Sequence, residues 1–259
     1  MSQTIKNLID ENIDILLFDE VDSTNNVCKK IGNQGFKNTL VISKSQTGGR
    51  GRLGRNFISN NNKGIYMSLL IRPNINISDI SKVTCVVGTS ILKILKKYIK
   101  NSIYIKWVND IYINDKKICG ILTESSLVEN RINYIVIGIG INLYHQVFPA
   151  DIIASSIEDE TGIVIDKDTL IGEIINQVLV DIRNINSLEH VEIFRKHMYL
   201  LNEYTLLKVR DNEFIGKIIG INDSFELITD VDKRIITISS GEILKVSKIK
   251  EDWNESNYN

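Results

Sequence analysis

The chain has 259 residues, and its 31 Lys and Arg against 32 Asp and Glu leave a formal charge of -1. That length accommodates one large domain and a small one, and 43% hydrophobic residues support a real core. The balanced charge argues against non-specific nucleic-acid affinity, which needs many uncompensated cations.

Residues 1–14 are polar and read as a short lead-in. Ile15-Leu16-Leu17-Phe18 reads as a strand, and Asp22-Ser23-Thr24-Asn25 supplies capping side chains for a short helix over 25–32. Thr39-Leu40-Val41-Ile42 is a buried strand that feeds a Gly/Arg loop. Residues 64–71 are β-rich and stop at Arg72-Pro73. Apolar positions at helical spacing predict a long helix over 79–98, capped by Ser78 or Asp79. Residues 103–107 read as a strand and 110–122 as a hairpin turning at Asn114-Asp115. Residues 132–141 read as a central strand whose Gly138 and Gly140 fall on one face, as a ligand lying against the backbone requires. Gly162 reads as a helix cap, and helices are expected over 168–184 and 187–198. From Tyr204 the pattern changes to short strands at 206–209, 214–219, 225–229, 234–238 and 243–246, a small β-barrel or sandwich, with a frayed tail from Glu251.

Cys28, Cys85 and Cys119 are widely spaced and form no Cys-x-x-Cys pair, which fits a reducing compartment without a thiolate zinc site. His145, His190 and His197 are scattered and suggest no metal cluster. Acidic Asp10, Glu11 and Asp14 interrupt any leader-like start, and no apolar run reaches the length of a membrane span. A cytoplasmic protein without membrane association is expected.

The segment Gln46-Thr47-Gly48-Gly49-Arg50-Gly51-Arg52-Leu53-Gly54-Arg55 is a poor helix and a poor strand. It reads as a solvated surface loop, as a small nucleic-acid contact, or as a loop that wraps an anion with amides and guanidinium groups. It lacks the Gly-Lys-Ser/Thr of a P-loop, and Gly138-Ile139-Gly140 lacks the third glycine of a dinucleotide fingerprint. Lys106-Trp107-Val108-Asn109-Asp110 closes a strand, where Asp110 can hold Mg²⁺ near phosphates or simply make a turn. Lys117 follows a hairpin turn and reads as a phosphate or carboxylate partner, or as a solvated strand lysine like Lys116. Ser155-Ser156 has no nucleophile elbow, so serine catalysis has little support.

Taken in order, Asp22-Ser23-Thr24-Asn25, the Gln46–Arg55 loop, Lys106–Asp110, Lys117-Ile118-Cys119-Gly120-Ile121-Leu122-Thr123-Glu124 and Gly138-Ile139-Gly140-Ile141-Asn142 resemble biotin-protein ligase (biotin–[acetyl-CoA-carboxylase] ligase). Ala154-Ser155-Ser156-Ile157 continues the match, and the blocks span most of residues 18–162. The resemblance implies an α+β fold: a mixed β-sheet with packed helices, class II aminoacyl-tRNA-synthetase-like, plus a small C-terminal SH3-like barrel. It places a ligase domain over 1–203 and the small domain and tail over 204–259.

The implied activity is formation of biotinyl-5'-AMP from biotin and ATP with Mg²⁺. Biotin then passes to a lysine of a biotin carboxyl carrier protein or domain. By resemblance Ser23, Thr24 and Gln46 contact the biotin ring system, with Asn25 beside them. The Gly49–Arg55 loop, including Gly51, closes over biotin and the adenylate. Arg50 positions the biotin end, and Arg52 and Arg55 favour phosphate charge. Lys117 hydrogen-bonds the reacting carboxylate and α-phosphate oxygens. Asp110 organises Mg²⁺, Asn109 supports the site, and Trp107 joins the binding residues. Gly120, Gly138 and Gly140 form the surface under the ligand, and Asn142 borders the nucleotide. The catalytic set is Lys117, Arg50, Arg52 and Asp110.

Three positions depart from the family pattern. Val108 stands where proline is usual, Phe57 where many members have tryptophan, and the segment Gly220–Leu227 lacks a glycine expected near Phe225. Some members carry a helix-turn-helix domain before the ligase; the seventeen residues before Phe18 cannot form one, so DNA regulation is not expected. A homodimer through an exposed sheet edge is the expected assembly. The rival readings are a lipoate or octanoate ligase on the related fold, and a biotin-binding regulator or carrier without turnover. The first usually has a His-Asp segment that is absent here. The second would not need Lys117, Asp110 and the arginine loop together.

Overall fold

A computed structural model describes residues 2–9 and 13–244. Seven strands make one mixed sheet: β1 (Asp14–Val21), β2 (Thr39–Gln46), β3 (Gly64–Ile71), β4 (Ile103–Lys106), β5 (Asp110–Ile113), β6 (Lys116–Val128) and β7 (Arg131–Asn142). Their spatial order is β1-β2-β3-β7-β6-β5-β4. β1 and β2 are parallel and every other pair is antiparallel. The helices are α1 (Ser2–Leu8), α2 (Thr24–Asn33), α3 (Ile80–Tyr98), α4 (Ile157–Thr161), α5 (Lys167–Arg183) and α6 (Leu188–Lys196).

Strand alternation divides β7 between two environments. Ile135, Ile137, Ile139 and Ile141 join the main core with α3 and α5. Tyr134 and Val136 point the other way and pack with Cys28 of α2, Val41 of β2 and Leu70 of β3. Each fully buried aliphatic chain here contributes about 1.5–3 kcal/mol. Beyond Val136 the same face presents only Gly138 and Gly140 before Asn142. Across the ladder Gly140 stands opposite Gly120 of β6. The apolar packing under α2 therefore gives way to bare backbone, and that floor carries the site.

Three local expectations have direct physical counterparts. Asn114 and Asp115 both take positive φ, 48° and 62°, as a tight hairpin turn requires. Gly162 ends α4 at φ 71°, a left-handed cap. Of the two cap candidates for α3, Asp79 holds the position but makes no capping bond; it pairs instead with Lys82 at 3.0 Å.

The polar lead-in is corrected: Ser2–Leu8 is helical and packs on α5. Its apolar residues Ile5 and Leu8, with Ile9 just past its end, sit at helical spacing, but the run is too short to stand out from its polar neighbours.

The second sheet holds β8 (Tyr204–Val209), β9 (Asn212–Ile221), β10 (Leu227–Val231), β11 (Arg234–Ile238) and β12 (Glu242–Ile243). It is antiparallel throughout, in the order β11-β10-β9-β8-β12. Leu207, Ile218, Ile221, Phe225 and Leu227 belong to the same continuous core as the large sheet. The expected strand over 243–246 is described only through residue 244, and the expected frayed tail lies outside the described residues. Among the described residues no helix is long and apolar enough to cross a membrane.

Candidate functional site

Two cavities meet on the α2 face of the large sheet. The first has a volume of about 40 Å³ and is floored by Gly120, Gly138 and Gly140, with Ser23, Thr24, Asn25, Gln46, Arg50, Gly51, Asn109 and Lys117 around it. The second, about 550 Å³, is bounded by Gly51, Arg52, Arg55, Trp107, Asn109, Asp110, Lys117 and Asn142 among others. Lys117, Asn109, Gly51 and Phe57 border both. Of the residues expected from sequence, Gly49 alone lines neither. It packs beneath the loop, where a Cβ would lie 2.4 Å from the Phe57 carbonyl oxygen and 2.7 Å from Ser59 Oγ.

The walls of the first cavity are fixed by one polar network. Ser23 occupies the N-cap position of α2, yet its side chain makes no capping bond. Thr24 N donates to Gln46 Oε1 at 2.9 Å, and Gln46 Nε2 donates to Ser59 Oγ at 2.8 Å. Ser68 Oγ lies 2.7 Å from Thr24 Oγ1 and 2.6 Å from Asn25 Oδ1. Asn25 Nδ2 donates to Glu124 Oε2 at 2.8 Å, and Lys29 Nζ bonds the other carboxylate oxygen at 2.8 Å. Burial alone would raise the Glu124 pKa; the hydrogen bonds from Lys29 and Asn25 outweigh it and hold the carboxyl below its ordinary range. Buried polar groups satisfied in this way rigidify a site. Ser59 and Ser68 were not singled out from sequence. Ser68 did leave a signal, as a hydroxyl at an inward position of an otherwise apolar strand.

Phe57 governs the size of the first cavity. A Cβ at Gly140 would stand 2.5 Å from its ring, and one at Gly120 would stand 3.2 Å from it. The aromatic ring thus lies on the glycine floor. The remaining space suits about one to three waters, not a bicyclic ligand. Its edge meets Tyr66, with ring centroids 6.4 Å apart.

Charge is concentrated in the second cavity. Lys117 Nζ lies 2.7 Å from Asp110 Oδ1, and both side chains are largely buried. Arg52 donates to the Gly241 carbonyl at 3.2 Å, and Arg55 forms an ion pair with Glu242. Trp107 donates its indole N–H to the Phe225 carbonyl at 2.8 Å, so one residue both walls the cavity and anchors the small sheet. Lys106, in the same sequence block, also lines the cavity; burial lowers the pKa of its amine.

Among the described residues no three His, Cys, Asp or Glu side chains converge as a metal cage. Asp110 and Asn142 both border the larger cavity, and Asn142 Oδ1 is buried without a hydrogen-bond partner. A carboxylate and an amide oxygen suit a hard cation that arrives on phosphates and keeps most of its other ligands. Together they make a partial oxygen donor set, short of an all-protein cage.

The chain is similar to known proteins over most of its length. Residues 17–142 match the biotin/lipoate A/B protein ligase family. The bifunctional ligase/repressor BirA of Bacillus subtilis is 31% identical over 240 residues, covering 88% of this chain and 73% of that protein. The biotin–[acetyl-CoA-carboxylase] ligase of Paracoccus denitrificans is 29% identical, covering 57% of this chain and 64% of its own length. A structure of biotin protein ligase from Aquifex aeolicus in complex with biotin and ATP superposes with a TM-score of 0.75 at 25% identity, over 89% of this chain and 97% of that one.

Proposed function

The chain belongs to the biotin/lipoate A/B protein ligase family, and from that premise we propose that it is an ATP-dependent biotin protein ligase. It forms biotinyl-5'-AMP and transfers biotin to a lysine of a biotin carboxyl carrier protein or domain. The observation that carries this reading is the place of Lys117, on the border of a small glycine-floored cavity and a large cationic one.

Biotin takes the first cavity, with its polar ring against Ser23, Thr24 and Gln46 and its carboxylate towards Lys117. Entry requires the Phe57 ring to leave the floor made by Gly120 and Gly140. ATP takes the second cavity, where Arg52, Arg55 and Lys117 offset its negative charge. A carboxylate oxygen attacks the α-phosphorus, and the bond to the β-phosphate oxygen breaks. Two anions must approach each other, so cations placed before the reaction lower the barrier. Asp110 and Asn142 would hold Mg²⁺, which when bound supplies charge neutralisation to the phosphates. Arg50 and the Gly49–Arg55 loop cover the mixed anhydride and exclude water. The carrier lysine amine then attacks the acyl carbon and AMP leaves, so the enzyme needs no nucleophile of its own.

The finer architecture is part of the same proposal: a class II synthetase-like ligase domain over 1–203 and an SH3-like small domain from 204. Homodimer formation through β1 is supported by its place at the end of the sheet, where among the described strands it pairs with β2 alone. Sedimentation that stays monomeric at working concentrations would remove the dimer.

The function is tested with an apo carrier domain, ATP and Mg²⁺, offering biotin, lipoate and octanoate in parallel. Biotin is expected on one carrier lysine, and Lys117→Ala is expected to slow adenylation by about 100-fold or more. Transfer of lipoate or octanoate without biotin would replace this reading with the related ligase. Tight biotin binding without turnover would replace it with a biotin-binding regulator.

A further inference from the structure

Lys106 ends β4 opposite Asp110 of β5. It borders the larger cavity and not the smaller one. Its Nζ lies 5.6 Å from the centroid of the Tyr112 ring, and Tyr112 walls the same cavity. Two carboxylates influence this amine, Asp110 and Glu242, and two cations oppose it, Lys117 and Arg55. Both carboxylates are already engaged, Asp110 by Lys117 and Glu242 by Arg55. Lys106 itself makes no ion pair or hydrogen bond with a described side chain. Lys106 is half-buried, and an amine partly withdrawn from water without an anion is costly to keep charged. An amine retained only for packing would be better replaced by an apolar chain of the same length. The arrangement suits a cation held ready for an anion that enters the cavity.

Position decides which part of that anion it meets. Lys117 stands where the two cavities join, so the reacting carboxylate and the α-phosphate belong there. Lys106 lies two strands from β6, which carries Lys117, in the order β6-β5-β4. The phosphates that lie away from the first cavity are the β and γ groups. We propose that the Lys106 ammonium binds the β- and γ-phosphates of ATP and stabilises pyrophosphate as the leaving group. The inference rests on the adenylation reading of the site. In that step the carboxylate–phosphorus bond forms, the α–β phosphoanhydride bond breaks, and the β-phosphate oxygen leaves with the electron pair. Charge grows on that oxygen, and an ammonium held in the cavity wall, partly withdrawn from water, is worth more there than one in bulk solvent.

The test uses the full chain with Lys106→Met, which keeps an apolar stem on Tyr112, and Lys106→Arg, which keeps the charge. Biotin-dependent ATP–pyrophosphate exchange is expected to fall about 100-fold in Lys106→Met and to recover largely in Lys106→Arg. Transfer from supplied biotinyl-5'-AMP to the carrier domain is expected to stay within about twofold of wild type, because pyrophosphate has already left. Equal losses in both half-reactions, or unchanged exchange, would overturn the proposal. If wild type shows no exchange at all, the adenylation reading falls, and titration with pyrophosphate alone still decides on Lys106. Tighter binding by wild type than by Lys106→Met supports its role; equal binding ends it.

Discussion

Gly138 and Gly140 stand two residues apart on one face of β7, yet they meet different neighbours. A Cβ at Gly138 would lie 2.2 Å from Asn25 Oδ1. That amide is pinned by Ser68 and Glu124 at 2.6 and 2.8 Å, so it has nowhere to move. A Cβ at Gly140 would press on the far end of the Phe57 side chain, the ring that must leave the floor for biotin under the proposed reaction. Gly138→Ala is therefore expected to cost about 1–3 kcal/mol in denaturant unfolding, as overpacking does. Gly140→Ala is expected to leave stability within about 1 kcal/mol while weakening biotin about 10- to 100-fold by calorimetry, since the methyl occupies the ligand floor. Equal effects of the two on stability would contradict this division. The two glycines were legible in the sequence because period-two alternation put both on one face. Their distinct partners were not, because Asn25 reaches Gly138 only through the packing of α2 on the sheet. Lys106 was passed over for a related reason. Its block was recognised, but only folding shows that the neighbouring carboxylates are already taken by Lys117 and Arg55.

At the scale of elements, the turn between β9 and β10 shows how a departure from pattern is accommodated. The glycine expected near Phe225 is absent, and Phe225 itself takes the left-handed conformation, φ 60°. Asn222 builds the turn around it, with its side-chain oxygen accepting from Ser224 N at 2.9 Å and Glu226 N at 3.0 Å. The Phe225 ring packs edge-on against Phe194 of α6, with centroids 5.7 Å apart, and its carbonyl receives the Trp107 indole. Replacement by glycine would relieve about 1–2 kcal/mol of left-handed strain but remove a buried aromatic worth about 3–5 kcal/mol. Phe225→Gly is thus expected to lose about 1–4 kcal/mol net in urea unfolding; a gain in stability would show that strain dominates the turn. The regular elements were largely legible from apolar periodicity: the helix expected over 79–98 is α3, and the strand expected over 132–141 is β7, one residue longer at each end. Helix α1 escaped because seven residues give the period too little length to register.

The whole molecule joins its two sheets at the site, and no local pattern could announce this. Arg52 meets Gly241 across a sequence separation of 189 residues, and Arg55 meets Glu242 beside it. The order of the seven strands was equally unreadable, because alternation fixes which face a residue takes and not which strand lies beside it. The contact has a functional consequence under the proposed reaction. Arg55 is wanted by the phosphates of ATP and is already held by Glu242, so nucleotide binding must share or displace that carboxylate. The Arg55 side chain is 64% exposed while that of Glu242 is 17% exposed. An ion pair with one partner so exposed contributes at most about 1 kcal/mol, so its competition with ATP amounts to no more than about fivefold. Glu242→Gln is accordingly expected to lower KM for ATP by up to about fivefold and to leave KM for biotin unchanged. The gain should shrink as salt rises, since exposed charges are screened. Steady-state kinetics with ATP varied at two ionic strengths decide the matter. A raised KM for ATP would mean that Glu242 orients Arg55 towards the nucleotide, making the small sheet a support for the loop and not a competitor for its charge.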